Sequence, residues 1–66
     1  MTLQVNGKAL TLEGEISVAA LLVKLGLGQK RVAVEVNKEL VVKQDWESAV
    51  LKEGDQVELV TFVGGG

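Results

Sequence analysis

The chain has no cysteine, no histidine and no tyrosine, and only two aromatic residues, Trp46 and Phe62. Without cysteine, no disulfide can staple so short a chain, and without histidine there is no Cys/His zinc site. Ser-His-Asp and Cys-His nucleophilic arrangements are excluded for the same reason. Two aromatics are too few for a base-stacking platform. The one basic pair, Lys30-Arg31, is no nucleic-acid footprint. The longest apolar run, Val18 to Val23, is far short of a membrane span. The opening residues lack the charged and apolar regions of a signal peptide, and the expected location is cytoplasmic, with no nucleic-acid or membrane partner.

What is present fits one small domain. Sixty-six residues rule out two domains, a TIM barrel or a full dinucleotide-binding fold. Apolar residues make up 47% of the chain, enough for a core, and charged residues make up 24%, which is ordinary for a soluble domain. Seven Lys and Arg against nine Asp and Glu give a net charge of -2, with the signs interspersed. No set of side chains suggests a catalytic centre or a metal site. Asp45 and Glu47 flank Trp46 but face apart in most local geometries, so they are not read as an acid/base pair.

Hydrophobic spacing gives the element order. Leu3 and Val5 alternate with polar neighbours, Asn6-Gly7 follows, and Leu10 and Leu12 alternate again. This predicts a hairpin of strands over 2–6 and 8–12, because both turn residues tolerate the positive φ of a type I′ turn. Val18, Leu21, Leu22 and Leu25 then fall on one helical face. Ser17 is the expected N-cap, and Ile16 with Leu21 a hydrophobic staple. Gly26 or Gly28 supplies the left-handed end. At roughly ten residues such a helix cannot stand alone in water and must lie on a sheet. Val32, Val34 and Val36 predict a third strand, with a tight turn at Asn37-Lys38 or Lys38-Glu39. Leu40 to Val42 predict a short fourth. Gln44 to Ser48 suggest a helical turn with the Trp46 indole folded over the sheet edge. Lys52 to Asp55 form a turn, and Val57, Leu59 and Thr61 mark the last strand.

A hairpin followed by a helix and further strands is α+β. The expected architecture is a ubiquitin-like β-grasp, a mixed four- to five-stranded sheet with one helix packed across it. The expected division is a β-grasp domain over 1–63 and a flexible glycine tail over 64–66. In the last strand, a register that buries Val57 and Leu59 places Val60 and Phe62 on the other face. Two uses are open there: lateral packing, or a partner-docking surface leading into the tail. An exposed apolar patch beside a functional end favours docking.

Gly64, Gly65 and Gly66 have no turn to explain them. With no Cβ on three successive residues, such a segment can thread a narrow channel in any backbone conformation. A terminal glycine carboxylate is unhindered. It is a poor electrophile until ATP converts it to an acyl-adenylate, after which sulfur, nitrogen or oxygen can attack. The tail is therefore a handle for acyl chemistry performed by another protein.

The chain resembles the ThiS family, the ubiquitin-like sulfur carriers of thiamine biosynthesis. The resemblance spans essentially the whole sequence. It rests on "MTLQVNGKALTL", "SVAALLVKLG", "VAVEVNKELVVKQDW" and "LKEGDQVELVTFVGGG" in order. Gly65 and Gly66 match the family's diglycine, and Gly64 is an extra glycine before it. The resemblance implies a carrier rather than an enzyme, with no cofactor of its own. An E1-like adenylyltransferase would consume ATP to adenylate Gly66. A cysteine-desulfurase-derived sulfur donor would convert the adenylate to a thiocarboxylate. Thiazole synthase would receive the sulfur. The alternatives are the small subunit of molybdopterin synthase, similar in fold and tail, and a ubiquitin-like protein modifier.

Overall fold

The computed structural model describes residues 1–62. The Asn6-Gly7 turn forms as its sequence demands, with φ of 50° and 81°. It joins β1 (Thr2–Val5) to β2 (Lys8–Thr11) as an antiparallel pair, with Leu3 opposite Leu10 and Val5 opposite Lys8.

The helix α1 (Val18–Lys24) begins at Ser17, whose hydroxyl accepts from the Ala20 N–H at 3.0 Å. It is shorter than its apolar spacing suggests, because the chain leaves the helix through Gly26. That residue adopts φ +77°. Its N–H reaches the Val23 carbonyl, and the Leu27 N–H reaches the Leu22 carbonyl at 2.7 Å. These are the two bonds of a Schellman ending. Leu25, expected on the buried face, is thus the C-cap and lies exposed, while Leu27 packs against the core.

Strand β4 (Val32–Val36) turns through Asn37 and Lys38, both left-handed, into β5 (Glu39–Leu40). The sequence suggested a longer strand to Val42. The Val41 N–H still reaches the Val34 carbonyl, but the Trp46 indole N–H takes the Val41 carbonyl at 2.9 Å, and the chain leaves the ladder. A 3-10 turn (Lys43–Asp45) carries the chain to Trp46. Strand β7 (Gln56–Thr61) follows the turn at Gly54, which has φ +83°.

The main sheet has the order β2-β1-β7-β4-β5, with β1 and β7 parallel and the other neighbours antiparallel. A second, two-stranded sheet pairs β3 (Ile16–Ser17) with β6 (Val50–Leu51). This small sheet has no signature in the sequence, since two residues cannot display an alternation. The helix lays Val18, Leu21 and Leu22 into a core with Leu3, Leu12, Val34, Leu51, Val57 and Leu59, all buried. The result is a mixed five-stranded sheet crossed by one helix, the β-grasp architecture.

Candidate functional site

Strand β7 lies at the middle of the sheet, and its alternation decides what it offers. Val57 and Leu59 point into the core; Glu58, Val60 and Phe62 point out. Val60 is 55% exposed and Phe62 60% exposed, so both lie on the outer surface, as the sequence predicts. Neither is part of the buried core.

The neighbouring strand enlarges this surface. Val60 stands opposite Ala33 on β4, and Glu58 stands opposite Glu35. Leu40, opposite Glu35 on β5, is 66% exposed. Ala33, Leu40, Val42, Trp46 and Phe62 line one groove, together with the cations Lys30, Arg31 and Lys43. The outer face is therefore apolar and edged by cations toward the carboxyl-terminal end of β7, and acidic at Glu58 and Glu35 nearer its start. Leu40 and Val42 were not singled out from the sequence. Their membership in the surface depends on cross-strand register, which alternation within one segment does not reveal.

The end of β7 is held on both edges. On the β4 side, the Phe62 N–H donates to the Arg31 carbonyl at 3.0 Å. On the β1 side, the Leu59 N–H donates to Asn6 Oδ1 at 2.7 Å, and Asn6 Nδ2 donates to the Leu59 carbonyl at 3.1 Å. The start of β7 is held by Asn37, whose Oδ1 accepts from the Gln56 N–H at 3.0 Å and whose Nδ2 donates to Asp55 Oδ1 at 3.0 Å. Asn6 and Asn37 read as turn formers in the sequence. Their tertiary bonds join residues 53 and about 18 positions away, beyond any local signal.

Gly64, Gly65 and Gly66, and with them the expected boundary between domain and tail, lie outside the described residues. Among the described residues, no group of three or more His, Cys, Asp or Glu is placed to hold a metal ion. No helix among them is long and apolar enough to cross a membrane. Among the described residues, the arrangement has no nucleophile paired with a base. It offers a strand end hydrogen-bonded on both edges and an apolar face beside it.

Known proteins share this fold. The family model described as "ThiS family" matches residues 3–66. A crystal structure of a thiamine biosynthesis protein (ThiS) from Geobacter metallireducens superposes with a TM-score of 0.85 at 39% identity, covering 100% of both chains. A sulfur carrier protein ThiS from Bacillus subtilis is 38% identical over 65 residues, covering 97% of this chain and 98% of the relative. A thiazole synthase from Paramagnetospirillum magneticum is 39% identical over all 66 residues, and this chain spans only 20% of its length. With the match running from residue 3 to residue 66 and the same fold at this identity, the chain belongs to the ThiS family.

Proposed function

We propose that Gly66, as a free carboxylate, is the group on which this carrier takes up sulfur. The observation that supports the reading most is the family match through residue 66, in a chain whose last described strand turns Val60 outward, with the exposed Phe62 just beyond it. An E1-like adenylyltransferase docks on Val60 and Phe62 and receives the glycines, which offer no side chain to obstruct a narrow channel. The carboxylate attacks ATP, forming an acyl-adenylate and releasing pyrophosphate. The terminal sulfur of a persulfide, derived from cysteine by a desulfurase, attacks the acyl carbon and AMP leaves. A thiol then reduces the sulfur–sulfur bond, leaving the sulfur on Gly66 as a thiocarboxylate. ATP is a substrate of the partner, and the carrier itself holds no cofactor.

Thiazole synthase is the proposed acceptor. In the Paramagnetospirillum magneticum thiazole synthase, a segment similar to this whole chain is part of one longer polypeptide. Such linkage favours a carrier and an acceptor that work together. Radiolabelled sulfur loaded on the carrier should appear in the thiazole product when thiazole synthase and its carbon substrates are supplied. Label that remains on the carrier, or that passes only to the large subunit of molybdopterin synthase, would contradict this assignment.

A further inference from the structure

We propose that Asn6 is a positioning residue for the carboxyl-terminal tail, acting through Leu59. The inference rests on the reading of Gly66 as the reactive end. Strand β1 pairs with β7 only at Gln4–Gln56 and Val5–Val57. The last main-chain bond between them runs from the Asn6 N–H to the Val57 carbonyl, at 2.8 Å. There the backbone turns away through φ 50°. The Asn6 side chain continues the ladder in its place: one amide supplies both the acceptor and the donor for Leu59, at 2.7 and 3.1 Å. The turn does not require this pair, since glycine reaches the same backbone conformation without an amide.

On the far side of the sheet, β5 pairs only with Glu35 and Val36. Past Leu59, therefore, β7 has β4 alone beside it, and two strands without a third are marginal in water. Asn6 is the last group holding β7 from the β1 side before Val60, Phe62 and the residues that follow. Release of that contact leaves the apolar surface attached to β4, through the Ala33–Val60 pairing and the Phe62–Arg31 bond. What spreads is the direction in which the chain leaves the sheet. Docking persists, while fewer docked complexes place Gly66 at the nucleotide.

Asn37 provides the control. It has the same residue type and the same left-handed backbone, and its amide likewise both accepts and donates, but to Gln56 and to the Asp55 carboxylate at the start of β7. The full chain carrying Asn6→Gly or Asn37→Gly is compared with the unaltered chain in adenylation by the activating enzyme, read as ATP–pyrophosphate exchange. Asn6→Gly should lower kcat by ~10-fold or more with KM within ~2-fold, because a small misplacement of the reacting group is enough. Asn37→Gly should leave kcat within ~2-fold even where its unfolding midpoint falls as far. Equal kcat losses in both variants, or an unchanged kcat in Asn6→Gly, would overturn the proposal. Should Asn6→Gly fail to fold, Asn6→Asp keeps the acceptor for the Leu59 N–H and is expected to change kcat in the same direction. Amide order parameters at Thr61 and Phe62 give a second readout, independent of activity. They should fall in the Asn6 variant alone; unchanged values would overturn the proposal, whereas failure of the unaltered chain to be adenylated would instead count against the reading of Gly66.

Discussion

Val60 stands directly opposite Ala33 across the β7–β4 pairing, with its side chain on the outer face of the sheet rather than in the core. Phe62, two residues on, shares that face. Phe62→Asp should therefore change the unfolding free energy by no more than ~0.5 kcal/mol, the usual range for a surface position. It should weaken docking to the activating enzyme by ~10-fold or more, as loss of an aromatic anchor does. Chemical unfolding and a titration of the two proteins check the two halves. A variant that unfolds would place Phe62 in the core and contradict the register.

Leu21 tests the core. It is fully buried on α1. Leu21→Ala should cost ~2–5 kcal/mol. At ~0.05–0.15 kcal/mol per residue, a chain of this length holds only ~3–10 kcal/mol in total. Urea unfolding should show a large fall in midpoint or no cooperative transition. A midpoint close to that of the unaltered chain would mean that the helix does not pack as described.

The Ser17 hydroxyl caps a helix of only seven residues. Ser17→Ala should cost ~1 kcal/mol, and Ser17→Gly a few tenths. For a domain of this size the first change corresponds to a Tm lower by ~4–8 °C. A Tm for Ser17→Ala equal to that of the unaltered chain would show that the cap contributes nothing.

The sequence revealed those elements whose local chemistry agrees with the final fold. Asn6-Gly7 could only be a tight turn, Ser17 sits where a cap belongs, and alternation in β7 separated Leu59 from Val60. It did not reveal what depends on contacts between distant segments. The pairing of Ile16–Ser17 with Val50–Leu51 is too short to leave a pattern. The Trp46–Val41 bond that ends β5 early, and the Asn6–Leu59 clamp, use side-chain groups whose partners no spacing rule names. For the candidate surface, Val60 and Phe62 were legible because they lie on one strand. Leu40 and Val42 came from another segment and emerged only with the register.

Removal of Gly66 separates folding from function. A glycine has no side chain to bury, and terminal residues contribute little to a fold. Deletion should alter unfolding by less than ~0.5 kcal/mol while abolishing adenylation. Retained adenylation would place the reactive carboxylate elsewhere.

The most direct test of the carrier assignment is the intact mass of the chain ending in Gly66, after incubation with the activating enzyme, ATP, a persulfide donor and a thiol. The mass should rise by the difference between one sulfur and one oxygen, with fragmentation placing the change on Gly66. A mass that stays constant while ATP is present, or a change located on any other residue, would contradict the account.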